Sequence, residues 1–319
     1  MEPRSFIDVL RRFGMAFILL AMIIALSFMN PRFFTISNFL TIMRQVAING
    51  ALAAGMTMVI LTGGIDLSVG GTVALAGCFA AGALHATGNS WLAVLVALGV
   101  GLMIGSVNGF FVSYTKLPPF IVTLATLALA RGFTLVYTEG RPLLVDAPLF
   151  DMIDMIGGGF VAGIPVPVLI VAVVYVVVGF VLNQTKFGRL VYAIGGNEQA
   201  CKLSGINVER NKMLVYVWCG FLAGLSSVIL TSRLLSAQPT AGTGYELDAI
   251  AAVILGGTSL SGGEGGVRGT LVGAFIIGVL ANGLNLLNVS PFYQDVAKGA
   301  VILAAVLMDK AFHSTADSK

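Results

Sequence analysis

The sequence contains little charge. Only 10% of its 319 residues are Asp, Glu, Lys or Arg, whereas about 25% is typical of soluble domains. Hydrophobic residues make up 57% of the chain, and the formal net charge is only +3. This composition excludes an ordinary soluble enzyme, and it excludes disorder, which requires few apolar residues and high net charge. Because the 18 cationic residues form no dense patch, a basic nucleic-acid-binding protein is excluded as well.

The sequence also lacks the residues on which most enzymes and metal sites depend. It has two histidines and three cysteines. The spacing of Cys78, Cys201 and Cys219 is not that of metal ligands, so these thiols are predicted to pack as small apolar groups. No P-loop, H-E-x-x-H motif or G-x-S-x-G motif occurs in the chain. We therefore expect no catalytic residue, no metal site and no cofactor in this chain.

What the chain does contain is long apolar runs. A transmembrane helix needs about 20 residues to cross ~30 Å of hydrocarbon. The apolar runs and their polar, Pro or Gly boundaries predict ten spans: 13–29, 46–62, 67–87, 91–115, 120–138, 161–182, 213–233, 247–261, 269–288 and 293–309. The sequence thus predicts an all-α polytopic membrane protein with about ten transmembrane helices and a single transmembrane domain over 1–319. The span 247–261 is short and ends in glycines, which indicates a broken or re-entrant helix.

The charged residues predict an orientation. Lys and Arg concentrate in cytoplasmic loops. Placing both termini in the cytoplasm puts twelve of the 18 cations inside and four outside, and the other two, Arg131 and Lys298, lie within predicted spans. The loop 183–212 carries five cations and is expected to be cytoplasmic, whereas the loop 139–160 carries one cation and four acids and is expected to be external. The first span follows Arg4, Arg11 and Arg12, and no small-residue cleavage site comes after it. We interpret it as an uncleaved span rather than a signal peptide.

A glycine-rich stretch, Gly63–Gly71, holds Asp66 between two apolar runs. One interpretation is a helix-hairpin turn in which Asp66 caps the third span through the amides that follow it. The other is that Asp66 also lines a water-filled passage, because an acid close to hydrocarbon needs water or a partner.

A second glycine-rich stretch, Val253–Gly263, resembles the first when Thr62 and Val69 are treated as insertions. Both stretches end spans that run in the same direction in the ten-span topology, so the similarity predicts a parallel repeat rather than an inverted one. Internal repeats are common in transporters and place substrate sites near interrupted helices. The alternatives are a wrong span boundary or a chance match in a chain with 40 glycines.

The loop 183–212 is long for a connector. Within it, Asn197–Ser204 is predicted to form a short helix that Gly205 ends at the C′ position. Because long ordered loops are usually functional, we interpret this loop as a docking surface for a cytoplasmic protein. The alternative is a basic loop that only sets the orientation in the membrane.

Charges inside the predicted spans are few. Arg131 is expected to pair with an acid from another helix or to extend its side chain toward the interface. Lys298 lies three residues after Asp295, a spacing that favours an ion pair on one helix. A proton-driven carrier usually needs several acids or imidazoles inside the bundle, so this scarcity favours a pathway that is driven from outside the chain.

Three segments together resemble a known family. They are Val59–Gly70, Tyr192–Glu198 with Ser204–Val208, and Ser236–Ala252. In these segments, and over nearly the whole chain from Asn30 to about Met308, the sequence is similar to the permease subunits of bacterial ATP-binding-cassette sugar importers. The resemblance is to the branch that carries ribose, xylose, galactose and allose, and it is closest to the ribose permeases.

The resemblance implies an ATP-driven importer of a ribose-like monosaccharide that works by alternating access in the bacterial inner membrane. Two copies of the permease would form the path, and a periplasmic sugar-binding protein would deliver the ligand. Cytoplasmic ATPase subunits, which bind ATP and Mg²⁺, would dock on the coupling loop 183–212. The coupling residues so implied are Gly195, Gly196, Asn197, Glu198, Lys202, Ser204 and Gly205. A self-contained secondary sugar carrier or facilitator is the alternative function.

A neutral sugar suits a path with dispersed polar groups, because tight sites slow release. The candidates for this lining lie around the two glycine-rich stretches and in neighbouring spans: Gln45, Asn49, Asp66, Ser68, Thr258, Ser259, Asn282 and Asn285. Each of them could instead form an interhelical hydrogen bond, worth about 0.6 kcal/mol in membrane proteins.

Overall fold

The structure is a computed structural model that describes residues 6–145 and 155–314. Its helices are α1 Phe6–Met29, α2 Ile36–Leu61, α3 Val69–Thr87, α4 Ser90–Ser113, α5 Pro119–Thr138, α6 Val166–Gln184, α7 Lys186–Gly196, α8 Glu198–Leu203, α9 Val208–Leu234, α10 Tyr245–Leu255, α11 Val267–Leu286 and α12 Pro291–Ser314. Four two-residue strands pair antiparallel, β1 Leu143–Leu144 with β4 Ser236–Ala237 and β2 Phe160–Val161 with β3 Ile164–Pro165.

The described helices confirm an all-α polytopic membrane protein. Seven of them, α2 to α6, α9 and α11, are long and apolar enough to cross a membrane, and α1 adds a shorter apolar stretch, Gly14–Met29. α12 has 24 residues, whereas α10 has only 11 and is about 16 Å long, too short to cross by itself. The segment that we predicted to be broken, 247–261, therefore does end early, at Leu255. The count of ten spans and the cytoplasmic position of the termini stay predictions.

Local sequence signals set several helix ends. The side chain of Thr35 accepts a hydrogen bond from the amide of Asn38 before α2, and Asn89 accepts from Trp91 and Leu92 before α4. These caps satisfy amide groups that have no partner inside the helix. α3 ends at Gly88 in the left-handed conformation, with φ of +64°.

The helices differ in how much of their surface the fold covers. α2 is mostly buried and forms the centre of the main apolar cluster. α4, α5 and α6 each pack one face against the rest of the protein. On the other face they expose large apolar side chains, among them Leu95, Phe133 and Phe180. Exposed apolar faces of this length are what a helix presents to lipid.

Close packing of backbones joins α4 to α9. A Cβ atom added to Gly101 would overlap the carbonyl oxygen of Gly220, and one added to Gly105 would overlap that of Tyr216. Since lipid tails are as apolar as the helices, such van der Waals contact between small residues is a main source of helix association in membranes. We refer to this contact as the glycine seam.

α10 is reached by a segment that runs back into the protein. After β4, residues 238–244 pack along α3 until the backbone of Gly242 touches that of Gly70, in the first turn of α3. Arg131 of α5 holds this segment because its Nη1 donates to the carbonyl oxygens of Pro239, at 3.3 Å, and Ala241, at 2.6 Å. Arg131 also interacts electrostatically with Glu246 on α10, so an acid from another helix is near it as expected, and the backbone carbonyls are further acceptors.

All three cysteines are buried and unbridged, as expected of packing residues, and Cys219 also forms a hydrogen bond with Asp66. Part of the predicted external loop cannot be compared with the fold. Its acids Asp146, Asp151 and Asp154 lie outside the described residues, as do Arg4 and Lys319.

Candidate functional site

The loop 183–212 folds into two consecutive helices, α7 and α8. Asn197 separates them, and its Oδ1 accepts the amide of Ala200 at 2.8 Å. Gly205 follows α8 with φ of +76°. Its amide donates to the carbonyl of Lys202, and the amide of Ile206 donates to that of Cys201. This pair of bonds is the Schellman arrangement, so the predicted short helix and its glycine end are confirmed.

α8 is fixed on one side and free on the other. Cys201 is buried among Ile194, Ile206 and Val208, whereas Leu203 is 91% exposed at the tip of the segment. An apolar side chain held out in this way by a supported helix is available to a partner protein.

Ion pairs attach α8 to the start of α9. Glu198 accepts hydrogen bonds from Lys202 and from Lys212, the latter at 3.0 Å. The hydrogen bond from Lys202 lowers the pKa of the Glu198 carboxyl most, and the hydrogen bond and charge of Lys212 lower it further. The bond between Lys202 and Glu198 also raises the pKa of Lys202. Both pairs therefore remain charged at neutral pH, and the Glu198–Lys212 pair restricts the movement of α8 relative to α9.

Backbone contacts connect the coupling segment to both glycine-rich stretches. A Cβ atom on Gly195 would overlap the carbonyl oxygen of Leu61 and the amide of Gly263, whereas one on Gly196 would meet nothing within 4 Å. The amide of Gly263 donates to the carbonyl of Leu61 at 3.0 Å, and the hydroxyl of Tyr192 donates to the carbonyl of Gly265 at 3.0 Å. The end of α2, the end of α7 and the α10–α11 turn thus meet at one point, which we call the glycine junction.

The two glycine-rich stretches end their helices in the same way. Gly63 and Gly257 are both left-handed, with φ of +73° and +79°. The amide of Gly63 bonds to the carbonyl of Ile60, as that of Gly257 bonds to Ile254. The helix ends therefore correspond without an insertion at Thr62, which corrects the alignment. They also meet on the same side of the protein, as a parallel relationship requires. A larger internal repeat stays a prediction.

Asp66 belongs to a buried polar network. It is 1% exposed, and its Oδ1 accepts from the amide and hydroxyl of Ser68 at 2.9 and 2.6 Å and from Nδ2 of Asn108 at 3.3 Å. Thr126 donates to Oδ1 of Asn108 at 2.7 Å. Ser68, not Asp66, is the N-cap residue of α3, so Asp66 shapes the turn one step earlier. In this conformation the carboxyl is closed off from solvent between Ser68, Asn108 of α4 and Cys219 of α9.

The other predicted path residues lie in separate places. Thr258 and Ser259 are buried in the α10–α11 turn, where their hydroxyls accept backbone amides. Asn282 donates to Asn38 at 2.9 Å, and Asn285 accepts from Gln294 at 2.8 Å. These residues therefore belong to separate hydrogen-bonded groups, and the role of all eight predicted residues as substrate contacts stays a prediction.

One group of charged and polar residues was not foreseen. Nζ of Lys298 on α12 lies 3.1 Å from Oδ2 of Asp248 on α10, and Nδ2 of Asn49 on α2 donates to the same oxygen at 3.4 Å. Asp295, which we expected to pair with Lys298, is exposed instead. Helical spacing indicated Asp295, but tertiary packing brought Asp248 close from 50 residues away. Among the described residues, no three His, Cys, Asp or Glu side chains come together as metal ligands.

The chain matches a known protein family. The family model described as branched-chain amino acid transport system / permease component matches residues 38–306. The chain belongs to this permease family. It is 51% identical over 296 residues to the ribose import permease RbsC of Haemophilus influenzae, covering 92% of both chains. It is also 50% identical over 305 residues to that of Bacillus subtilis, covering 96% of this chain and 94% of the relative.

A more distant relative is named for a different sugar. The D-allose transport system permease AlsC of Escherichia coli is 37% identical over 311 residues, covering 97% of this chain and 94% of the relative. No solved structure matches the chain. The predicted resemblance is confirmed, and the chain is a multi-pass inner-membrane permease component of an ATP-binding-cassette importer. Membership implies a separate ATPase subunit and a periplasmic binding protein as partners.

Proposed function

We propose that this chain is the transmembrane subunit of an ATP-driven importer of ribose or a closely related monosaccharide. The names of the relatives at 50 and 51% identity support the ligand class. The observation that carries the mechanism is the glycine junction, at which the folded coupling segment touches both glycine-rich turns through backbone atoms.

The mechanism follows from these contacts. The partner ATPase, which binds ATP and Mg²⁺, docks on α7, α8 and the exposed Leu203. When the ATPase domains close, α8 moves together with α9, because Glu198 bonds to Lys212. Gly195 passes this displacement to Leu61 and to the α10–α11 turn. The helices attached there tilt, and a path between two copies of the permease opens alternately to either side of the membrane.

The topology of the proposal has ten crossings with both termini in the cytoplasm. The coupling segment 183–212 is then cytoplasmic, and the loop 139–160 faces the binding protein outside. The sugar has no charge, so the polar residues Gln45, Asn49, Asp66, Ser68, Thr258, Ser259, Asn282 and Asn285 offer hydrogen bonds to its hydroxyl groups as neighbouring helices move.

Reconstitution tests the function. The permease alone in liposomes should take up no sugar, with or without an ion gradient. The permease together with its partner ATPase and binding protein should take up ribose when ATP is supplied. An ATPase whose P-loop Lys is replaced serves as the control. Uptake by the isolated permease would instead identify a facilitator or secondary carrier.

The ligand is tested separately. Titration of the binding protein with pentoses and hexoses should give the tightest binding for ribose, and uptake by the reconstituted complex should follow the same order. Tighter binding of allose, the ligand in the name of the third relative, would correct the sugar without changing the transport class.

A further inference from the structure

The group formed by Asn49, Asp248 and Lys298 joins three helices, and two of its members lie well inside α2 and α12. Asn49 is 12 residues before the end of α2 at Leu61, or about 18 Å at the helical rise, in a helix about 39 Å long. Lys298 lies seven residues, about 10 Å, inside the start of α12 at Pro291. Asp248 is in the first turn of the broken helix α10. All three side chains therefore belong to segments that the sequence predicts to cross the membrane.

Stability alone is a weak reason for a charged pair at this depth. Removal of two charges from water opposes their attraction, and well-packed apolar residues of similar size are often at least as stable. Ionisable residues inside membrane spans are for this reason treated first as functional groups.

The group also has unused hydrogen-bonding capacity. Both bonds to Asp248 end on Oδ2. Lys298 uses one of its three donors in the bonds that the structure shows. The Oδ1 of Asn49 is buried and has no partner. A buried acceptor without a partner is uncommon in a stable core, and the site thus offers free donors and a free acceptor close together.

These properties fit one class of ligand. A hydroxyl group both donates and accepts a hydrogen bond, so neighbouring hydroxyls of a sugar can bond to the ammonium group and to Oδ1 of Asn49 at the same time. The ion pair has no net charge, so the site does not select for an ion. The Lys298 side chain is 24% exposed while that of Asp248 is 6% exposed, so a ligand meets the ammonium group first and reaches the buried Oδ1 of Asn49 only when α10 and α12 move apart.

We propose that Asn49, Asp248 and Lys298 form a hydrogen-bonding site for a neutral polyol halfway along the transport path. The proposal rests on the function proposed above. In it, Lys298 and Asn49 contact the sugar, and Asp248 positions both of them.

A double apolar variant tests the proposal in the reconstituted complex. Asp248→Leu together with Lys298→Met removes both charges, so no buried charge loses its partner. We expect a folded permease whose complex still hydrolyses ATP, within twofold, in response to the loaded binding protein, but which takes up at least tenfold less sugar per ATP. Unchanged uptake per ATP in the folded double variant would overturn the proposal, because a purely structural pair allows that result.

Water access gives a second readout that does not depend on the double variant folding. Lys298→Cys is made together with Asp248→Asn, so that no bare carboxylate stays buried, and is treated with a membrane-impermeant maleimide. We expect labelling above the level of the parent protein, whose three cysteines are buried, and slower labelling in the presence of sugar and binding protein. Val176→Cys on α6, at a position 71% exposed on an apolar face, is the control that should stay unlabelled in lipid.

The outcomes separate this proposal from the function on which it rests. If position 298 is labelled no more than position 176, the site is closed to water and the proposal is wrong. If the parent complex itself shows no ATP-dependent sugar uptake, the proposed function fails first. Labelling at position 298 that sugar slows, in a complex with normal ATPase activity, would support the site.

Discussion

The glycine seam and the α10–α12 contact are two different ways to hold helices together in lipid. In the seam, backbone atoms of α4 and α9 touch at Gly101, Gly105 and Gly220. Between α10 and α12, the described side chains show one polar bond, from Lys298 to Asp248, beside apolar packing in which Ile302 takes part. α12 also leaves much of its outer face exposed, including Phe292, Val296 and Leu303.

The difference indicates which part of the protein moves. Backbone contacts in a close-packed seam have one arrangement, because a small displacement makes atoms overlap. A bond between two side chains can lengthen, break and form again while the helices tilt. We therefore expect α4 and α9 to remain one rigid body during transport and α10 and α12 to change their relative positions.

The largest effect is expected in the seam. Gly101→Leu places a side chain where the carbonyl of Gly220 lies, and overpacking against backbone costs about 3 kcal/mol or more. We expect almost no folded permease in the membrane, measured by fluorescence-detected size-exclusion chromatography. The matched control is Gly99→Leu on the same helix, which meets nothing within 4 Å and should accumulate normally. Equal accumulation of the two variants would show that the seam is not rigid.

The next effect is expected at the ion pair. Lys298→Met leaves the buried Asp248 carboxylate without its cation, and we expect a loss of about 2–3 kcal/mol. Thermal denaturation in detergent measures it. Adding Asp248→Leu to this variant should restore most of the lost stability, because the uncompensated charge is then absent. A double variant no more stable than Lys298→Met would mean that the pair itself holds α10 and α12 together.

A smaller change in stability but a clear change in coupling is expected at the glycine junction. Gly195→Ala places a Cβ atom against the backbone of Leu61 and Gly263, so the end of α7 has to shift away from both, at a cost of about 2 kcal/mol. The ratio of sugar uptake to ATP hydrolysis should fall at least threefold. Gly179→Ala on α6, with nothing within 4 Å, is the control. An unchanged ratio in Gly195→Ala would exclude the junction as the link between ATPase and path.

The smallest effect is expected at the ion pairs of the coupling segment. The Lys212–Glu198 distance is 3.0 Å, close to the 3.1 Å of the membrane pair, but the Glu198 side chain is 37% exposed. Exposed pairs contribute less than about 1 kcal/mol. Lys212→Met should therefore speed amide hydrogen exchange in α8 only slightly, and Lys186→Met on α7 should not change it. A loss of stability in Lys212→Met as large as the loss in Lys298→Met would mean that burial does not explain the difference in strength between the two pairs.

The pH dependence of the coupling segment has a definite sign. Hydrogen bonding to Lys202, and then Lys212, lowers the pKa of Glu198 below its ordinary value of 4.5. A depressed pKa contributes stability that is present above the unfolded pKa and lost as the pH falls through the folded one. Exchange in α8 should thus be constant from pH 7 to 5, after correction for the intrinsic rate, and should increase only below about 4.5.

Features that depend on near neighbours in the chain were predictable. The helix after Asn197 and its end at Gly205 follow from capping preferences. The early end of the span 247–261 follows from its glycines, whose flexibility weakens a helix. The burial of the three cysteines follows from their apolar character. Each of these features is decided within a few residues.

Features that depend on distant residues were not predictable in the same way. The partners of Lys298 and Arg131 come from α10 and from the re-entrant segment, which no spacing rule places next to them. Asn108 and Thr126 were missed because single polar residues in apolar helices carry no pattern. No pattern in the sequence predicted that Gly63, Gly195 and Gly263 lie next to one another.

The sequence by itself determined that this is a polytopic helical membrane protein, which of its loops is long and basic, and to which transporter family the chain belongs. Hydropathy, charge distribution and capping are additive properties of neighbouring residues, so they can be read along the chain. Only the tertiary structure decided that the coupling segment touches both glycine-rich turns and that Asp248 pairs with Lys298 beside Asn49. These contacts arise because broken and tilted helices bring residues together from distant parts of the sequence, and packing alone selects which ones meet.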